Sequence, residues 1–398
     1  MRETCASCTP ESVLVYVHVP FCVRKCRYCA FVSQTYSVEA VQTYMALLEQ
    51  EMAWWAGQYG RLRATTVYIG GGTPSLLTPA QVARLFDALE RFFDLGQVRE
   101  ITLEANPESV MAPGFLDTAR ERGVSRISLG VQSFHDHALR MLGRPHDRQK
   151  ALQAAHAVRT AGIAALSLDL MWGLPGQSLE MWHDDLQQAI FLEPEHLSCY
   201  CLSLEQGTEL AGCVLDNTLT LPTEECAVQM FEHGCLALDQ AGYEQYEIAN
   251  FAQPGHICQH NWGYWTGRSY LGLGPAAVST MHGKRWTNAF SLDAYAHALA
   301  AGILGKDAEE LDAHTQLHEM VMLSLRTSAG LDLSHFQARA GWDFLHCTSS
   351  IVEQLCTSGL ARICSNHFSL TREGMLVSNT ILATVLECMD HYASAGNM

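Results

Sequence analysis

Apolar and polar residues alternate in blocks along the first half of the chain, and these blocks predict strands and helices in turn. Short runs rich in β-branched residues predict strands near residues 14–21, 66–69, 101–103, 126–129, 165–171 and 196–202. Segments with helical periodicity predict helices near residues 38–55, 79–93, 113–122, 135–141, 148–160 and 179–191. Six such alternations are typical of βαβ units, so we expect an α/β fold with a partial (β/α)6 barrel.

Glycines and polar residues fall in or just after several of these strands. A cysteine-containing loop follows the first strand, and a run from Gly70 to Gly72 follows the second. Glu104, Gln132 and Asp169 come at the ends of the next three. Because reactive groups of parallel α/β folds lie at the carboxyl ends of strands, we expect all five features on one rim.

The pattern changes after residue 205. A helix is predicted near residues 224–241, then an aromatic and glycine-rich stretch over 243–274, then a polar linker over 305–312. Helices near 314–325, 333–340, 346–358 and 373–389 enclose a hairpin at 361–364 and 367–370. This arrangement resembles a winged helix. We therefore divide the chain into a leader (1–12), a barrel core (13–205), a barrel extension (206–304) and a mainly helical, winged-helix-like C-terminal domain (305–398).

Composition limits the partners. The chain has 398 residues and a formal net charge of −17, so we expect no nucleic acid partner, although Arg24, Lys25 and Arg27 form a local basic patch. We see neither a long apolar window nor a secretory signal, and we therefore expect a cytoplasmic protein without a transmembrane segment. Peripheral membrane contact stays open. The last domain is expected to serve packing or a partner, rather than DNA.

The loop after the first strand places Cys22, Cys26 and Cys29 at CxxxCxxC spacing. Three thiolates at this spacing bind a soft metal, whereas a structural zinc site normally has four ligands, and Ala30 and Phe31 come next. We favour a [4Fe–4S] cluster with one open iron, with a zinc loop or core cysteines as alternatives. A second pair, Cys5 and Cys8 near the N-terminus, has no assigned role.

Each of the other rim features has a plainer explanation when taken alone. The glycine run from Gly70 to Gly72 lets backbone atoms approach a small ligand, but it also suits a tight strand-to-helix turn. Glu104 and Asp169 suit hydroxyl or ammonium groups, but single carboxylates are more often caps or solvated charges. Their common placement with the cysteine loop favours ligand binding.

Several motifs together carry a family resemblance. The motifs that carry the resemblance are a strand with the pattern YxHxPF, followed by CxxxCxxC, GGGTPS, LEANPES, GVQSF and DLMWGLPGQ. The chain resembles radical S-adenosylmethionine (SAM) proteins of the oxygen-independent coproporphyrinogen III oxidase-like branch. Over essentially the whole chain the sequence is most similar to the heme chaperones of that branch, HemW. The resemblance implies that Cys22, Cys26 and Cys29 hold the cluster and that SAM chelates its open iron, where reduction can cleave it to a 5′-deoxyadenosyl radical.

The same resemblance implies roles for further residues. It implies that Tyr16 packs beside the cluster. It implies that the following residues contact SAM, the first three at its methionine end: Gly71, Gly72, Thr73, Glu104, Gln132, Arg144 and Asp169.

Two features favour the chaperones over the oxidase, HemN. The oxidase motif has a further cysteine where this chain has Phe31, and the oxidase has a longer arm before the cluster strand than the dozen or so residues here. The chain instead carries HNxxYW, whose residues His260, Asn261, Tyr264 and Trp265 are implied heme contacts. A histidine among aromatics is more often a packed core residue. His256 and Cys258 are rival heme ligands.

We therefore predict a heme chaperone that binds heme, a [4Fe–4S] cluster and SAM and passes heme to an unknown acceptor protein. The alternatives are oxidative decarboxylation of coproporphyrinogen III to protoporphyrinogen IX, or a SAM-dependent modification of heme. Whether SAM is cleaved in normal function stays open, and with it whether the protein is an enzyme. The axial heme ligand and the oligomeric state are also left open.

Overall fold

A computed structural model describes residues 12–394. Cys5 and Cys8, and with them nearly all of the predicted leader, lie outside the described residues. The barrel core consists, in chain order, of β1 (Ser12–Val19), β2 (Phe21–Cys22), β3 (Gln34–Thr35), α1 (Val38–Tyr59), β4 (Arg63–Gly71), a 3-10 turn (Pro74–Leu76), α2 (Pro79–Phe92), β5 (Glu100–Ala105), α3 (Phe115–Glu121), β6 (Arg126–Gln132), α4 (Asp136–Leu142), α5 (Arg148–Thr160), β7 (Ala165–Trp172), α6 (Leu179–Phe191) and β8 (His196–Cys201).

The second half of the chain contributes short strands and most of the remaining helices. It consists of α7 (Glu209–Leu215), α8 (Glu224–Gln240), β9 (Glu244–Gln245), β10 (Asn250–Ala252), α9 (Gln259–Trp265), β11 (Tyr270–Leu273), β12 (Val278–Met281), β13 (Lys284–Thr287), α10 (Leu292–Ala301), β14 (Glu309–Glu310), α11 (Ala313–Ser324), β15 (Leu331–Asp332), α12 (Leu333–Ala340), α13 (Phe344–Cys347), α14 (Ser349–Thr357), β16 (Ala361–Cys364), β17 (His367–Leu370), α15 (Arg372–Leu376) and α16 (Ser378–Ser394).

Within residues 12–394, twelve strands form one sheet in the order β14-β13-β12-β11-β1-β4-β5-β6-β7-β8-β10-β9. The neighbours β1, β4, β5, β6, β7 and β8 are parallel throughout, which confirms the predicted six-stranded partial barrel. Strand β11 continues the sheet on the other side of β1 and is also parallel to it. The later strands therefore extend the barrel wall rather than form a separate sheet.

The two faces of β1 explain how the barrel is filled. Val13, Val15 and Val17 are fully buried in the main apolar core, which they share with α1. Tyr16 and His18 alternate with them and so lie on the opposite, inward face. A strand buried on both faces is typical of a parallel sheet covered by helices. The inward positions of the strands therefore decide what the barrel interior can bind.

The helices begin where the sequence supplies caps. Helix α2 starts with a full capping box, since the Thr78 hydroxyl accepts from the backbone N–H of Gln81 and the Gln81 side chain accepts from that of Thr78. Pro79 occupies the first helical position, where its missing N–H costs nothing. The predicted bounds of α5 and α6 agree with the structure.

The C-terminal domain follows the winged-helix-like prediction, with corrections. The hairpin of β16 and β17 is confirmed, and β15 adds a third strand to it. The helix expected over 346–358 is two helices, because Thr348 interrupts it. Residues 305–312 are not a simple linker: Glu309 and Glu310 pair with β13, and Leu311 is buried. In the part of the chain described, we find no helix that combines the length and the apolarity needed to cross a membrane.

Candidate functional site

The three loop cysteines open into one cavity of about 600 Å3 at the carboxyl ends of the barrel strands. We call it the cluster cavity. Seven of the predicted SAM contacts also line it: Gly71, Gly72, Thr73, Glu104, Gln132, Arg144 and Asp169. The structure thus brings together residues from six different parts of the sequence. Tyr16 is different, because it does not line this cavity and is hydrogen-bonded instead to His18 Nδ1 at 3.0 Å.

The surroundings of the cysteines suit thiolate ligands. Arg144 Nη1 donates to the sulfur of Cys26 at 3.5 Å, and the Thr73 hydroxyl donates to that of Cys22 at 3.7 Å. Such outer hydrogen bonds orient metal-binding sulfurs and stabilise their charge. The donor set therefore fits an iron–sulfur cluster held by Cys22, Cys26 and Cys29.

Arg144 links the cysteine loop to the strand ends. It is buried, and its Nη2 donates to Asn106 Oδ1 at 2.6 Å and to the Gly130 carbonyl at 2.7 Å. Asn106 in turn donates through Nδ2 to Thr73 Oγ1 at 3.1 Å. This chain of hydrogen bonds fixes the cavity wall between β4, β5 and β6 without leaving Arg144 mobile.

Two half-buried carboxyl groups face the same cavity. Burial raises the pKa of Glu104 to about 7, although hydrogen bonds from the Tyr68 hydroxyl (2.8 Å) and the Gly71 N–H (3.0 Å) oppose the shift. Burial likewise raises the pKa of Asp169 to about 6, against a hydrogen bond from Ser128 Oγ at 2.9 Å. A bound cation would favour both ionised forms. The pair therefore suits a positively charged ligand such as SAM.

Backbone geometry at the strand ends is also unusual. Gln132 is buried with a φ of 68°, and its Oε1 accepts from the Tyr200 hydroxyl at 2.6 Å. A non-glycine residue whose backbone lies in the left-handed region costs free energy, and such residues are frequent at binding sites. Gly72 is constrained for another reason, because a Cβ there would lie 2.6 Å from the Phe21 carbonyl oxygen. The close passage of the cysteine loop thus accounts for this glycine without any ligand.

Sequence reasoning missed Tyr68, Asn106 and Tyr200, which all line the cavity. Tyr68 lies two residues before Gly70, and Asn106 lies two residues after Glu104. Since alternate residues of a strand share a face, counting in twos from the recognised residues would have found both. Cys201, at the end of β8, also lines the cavity, and no motif marked it.

The HNxxYW motif lies elsewhere in the barrel, on α9. His260 is 1% exposed, and its Nδ1 and Nε2 are hydrogen-bonded to Thr66 Oγ1 (2.7 Å) and Tyr264 OH (2.9 Å). Burial lowers the pKa of His260 to about 3, so the ring is neutral. Asn261 donates to the Tyr246 hydroxyl at 3.0 Å. In this arrangement neither ring nitrogen of His260 is free to bind iron.

A second cavity of about 240 Å3 lies beside this motif, and we call it the lower cavity. His260, Asn261 and Tyr264 line it, as does Cys258, whose thiol donates to Glu100 Oε1 at 3.4 Å. Glu100 also accepts from the backbone N–H groups of Gln259 and His260, both at 3.1 Å, and so anchors the start of α9. Trp265 and His256 do not line this cavity.

Comparisons with known proteins agree with this geometry. The Radical SAM superfamily model matches residues 16–189, and the HemN C-terminal domain model matches residues 311–377. Heme chaperone HemW of Bacillus subtilis is 33% identical over 93% of this chain and 98% of its own length, and that of Escherichia coli is 35% identical over 94% and 97%. The mitochondrial radical S-adenosyl methionine domain-containing protein 1 of Mus musculus is 34% identical over 95% and 89%.

One solved structure shares the whole fold. Coproporphyrinogen III oxidase (HemN) from Escherichia coli superimposes with a TM-score of 0.80, covering 96% of this chain and 91% of its own. The two sequences are 22% identical, so this similarity concerns the fold alone.

Proposed function

This chain belongs to the HemW family of radical SAM proteins, and from that premise we propose that it is a heme chaperone. It binds heme, a [4Fe–4S] cluster and SAM, and it passes heme to an acceptor protein. The observation that carries the proposal is the cluster cavity, which gathers the three cysteines and seven expected SAM contacts in a chain that matches heme chaperones over nearly its full length.

The cavity residues have distinct parts in this function. Cys22, Cys26 and Cys29 hold the cluster, and the cluster with SAM supplies one-electron chemistry when both are bound. Arg144 positions Cys26 and keeps the loop against the strand ends. Glu104 and Asp169 supply negative charge for the cationic ligand once they ionise. Gln132 presents its strained backbone to the same ligand.

The part played by HNxxYW is narrower than the motif alone indicates. We propose that His260 supports the barrel through Thr66 and Tyr264, because both of its nitrogens are engaged. Tyr264 is kept as a heme contact, since it also lines an open groove on the outer side of the motif. Asn261 and Trp265 remain predicted heme contacts, to be tested by substitution.

Heme titration tests the proposal directly. The protein is reconstituted with iron and sulfide under anaerobic conditions, and equimolar hemin is then added while the Soret band is recorded. We expect a shifted and sharpened Soret band, and release of heme to apo-myoglobin would show that the bound heme is transferable. A Soret band identical to that of free hemin would contradict the proposal.

The oxidase alternative is tested in parallel. Phe31 occupies the position of the further cysteine in the oxidase motif, so we expect no protoporphyrinogen IX from coproporphyrinogen III, SAM and a reductant. Steady formation of protoporphyrinogen IX would show that the protein is an oxidase and would overturn the proposal that it is a heme chaperone. The oxidase structure described above is 22% identical to this chain, whereas the two bacterial heme chaperones are 33% and 35% identical, so we do not propose oxidase activity.

The acceptor and the location complete the proposal. We propose that the heme acceptor is a protein and that it docks at the winged-helix-like domain. The proposed location is the cytoplasm. In support, all thirteen cysteines that the structure describes are free thiols, as expected in a reducing compartment. Cell fractionation with an antibody to the native protein checks the location.

A further inference from the structure

A third cavity, of about 780 Å3, lies on the far side of the cluster loop. We call it the outer groove. Strands β11, β12 and β13 line it together with helix α11 of the C-terminal domain, and the residues on which its properties depend are Phe31, Tyr264, Arg268, Tyr270, Phe290 and Met322. Its volume falls within the usual range of small-molecule sites, about 300–1,000 Å3.

The groove exposes aromatic surface that a folded protein usually hides. Phe31 is 68% exposed and Phe290 is 66% exposed, and both line the groove. Tyr264 and Tyr270 contribute further ring surface and contact each other edge to face, with centroids 4.7 Å apart. A cluster of exposed aromatic side chains marks a binding surface for an apolar ligand. Flat aromatic walls suit a planar macrocycle.

One end of the groove carries positive charge. Among residues 12–394, no carboxylate forms an ion pair with Arg268, which donates instead to Thr65 Oγ1 at 2.9 Å. Arg285, by contrast, is held by Glu319 at 2.5 and 2.9 Å. Of these two groove arginines, Arg268 is the exposed one that the described residues leave without a carboxylate, and we assign it to an anionic ligand.

The groove is adjacent to the cluster cavity. Ala30 and Phe31 line both, so the residue that replaces the oxidase cysteine is also a wall between the two spaces. Tyr264 has a similar place at the other end, since it lines both the lower cavity and the groove. A ligand in the groove would thus touch the cluster loop and the HNxxYW helix at once.

We propose that the outer groove is the heme site, with the porphyrin ring against Phe31, Phe290 and Tyr264 and its propionates toward Arg268. This inference rests on the proposed function and adds a location to it. It also explains how HNxxYW can matter for heme although His260 is enclosed: Tyr264 reaches the ligand, and His260 holds Tyr264 through a 2.9 Å hydrogen bond.

Hemin titration of two groove variants tests the location. Phe290→Ser removes an aromatic wall and Arg268→Glu reverses the charge, and each is expected to weaken hemin affinity about tenfold or more. Phe191→Ser is the matched control, because Phe191 is 79% exposed on α6 and does not line the groove. Its hemin affinity should equal that of the wild type.

A gain-of-ligand experiment makes the test independent of lost affinity. Met322 lines the groove on α11, whereas Met320 of the same helix does not. Met322→His is expected to change the Soret position and the visible bands of bound heme toward histidine ligation. Met320→His should leave the spectrum unchanged.

The outcomes separate the two proposals. If the wild type binds no hemin, the proposed function fails. If the wild type binds hemin but Phe290→Ser, Arg268→Glu and Met322→His all behave like the wild type, heme binds elsewhere and only the groove proposal is overturned. Iron content and SAM binding of each variant should match the wild type, which shows that the cluster cavity is intact.

Discussion

The cluster cavity and the lower cavity share one barrel interior but differ in how their polar groups are satisfied. Tyr68, Ser128 and Ser198 line both, so the two spaces meet in the middle of the barrel. Around the lower cavity, the buried histidines His196 and His260 are each hydrogen-bonded through both ring nitrogens. His196 is hydrogen-bonded through Nδ1 to Ser167 at 2.8 Å and through Nε2 to Tyr246 at 3.0 Å.

The cluster cavity is organised for a ligand instead. Its carboxyl groups have raised pKa values, Gln132 has a strained backbone, and three thiols face the same space. Inward positions of the same strands thus serve stability near their amino ends and binding near their carboxyl ends. The difference implies that variants of the two cavities should fail in different ways.

The largest expected effect is loss of the cluster from Cys26→Ser. A serine oxygen is a poor ligand for the soft iron–sulfur centre, so the reconstituted variant should lose essentially all cluster iron and the cluster's visible absorption. Iron and sulfide analysis measures the change. Cys364→Ser, at an exposed position on β16, is the control and should keep its iron. Full iron content in Cys26→Ser would show that the loop is not the cluster site.

The next largest effect concerns the fold rather than the ligands. His260→Ala leaves the hydroxyls of Thr66 and Tyr264 without their partner and opens a void, so we expect the free energy of unfolding to fall by about 3–4 kcal/mol. Urea unfolding of the cluster-free protein measures it. Unchanged stability would show that these two hydrogen bonds add nothing to the fold, and it would erase the contrast between the cavities.

The pH dependence of stability tests the cluster cavity from its charges. Burial raises the pKa of Glu104 from its ordinary value of 4.5 to about 7. Between these values the folded protein binds more protons than the unfolded chain, so the free energy of unfolding falls as the pH rises. For Glu104 the fall is about 3 kcal/mol between pH 4.5 and 7, at 1.36 kcal/mol for each pKa unit. Asp169 acts in the same direction below about pH 6.

Glu104→Gln isolates this contribution. Its unfolding free energy should be flatter across the same pH range, as measured by urea unfolding of the cluster-free protein at several pH values. Tyr68→Phe is a useful companion, because it removes a hydrogen bond that lowers the pKa of Glu104. The fall should then extend to higher pH. Identical slopes in wild type and Glu104→Gln would place the titration elsewhere.

The sequence was sufficient for the parts of this comparison that depend on local pattern. The six parallel strands follow from alternating apolar segments, and the cluster cavity follows from chemistry at strand ends. The resemblance predicts that Tyr16 packs beside the cluster. The structure shows that Tyr16 lines the lower cavity and the outer groove, so its contact with the cluster stays a prediction. The motif around Tyr16 is recognisable in the sequence, but the residues that Tyr16 meets across the barrel come from distant segments, which the motif does not predict.

The main feature that the sequence does not predict is the pairing of strands that lie far apart along the chain. Strand β11 lies beside β1 with Tyr270 opposite Leu14. A four-residue strand is too short for its pattern to predict a partner so far away in the sequence. The same limit explains β14, where Glu309 and Glu310 look like solvated linker residues but pair with β13. The outer groove is lined by β11, β12 and β13, so the sequence pattern does not predict it unless it predicts how these short strands pair.

The smallest expected effect tests what fills the lower cavity. Thr102 Oγ1, Arg126 Nη1 and Asn250 Oδ1 have no hydrogen-bond partner among the described residues, and all three side chains line that cavity. Its 240 Å3 can hold several waters at about 30 Å3 each. If water satisfies these groups, Thr102→Val should cost less than about 1 kcal/mol of unfolding free energy, because one bond of a water cluster is lost. A gain of stability would show that the Thr102 hydroxyl is buried without a water partner. The polar groups that line the lower cavity would then be less completely hydrogen-bonded than His260 and His196 indicate.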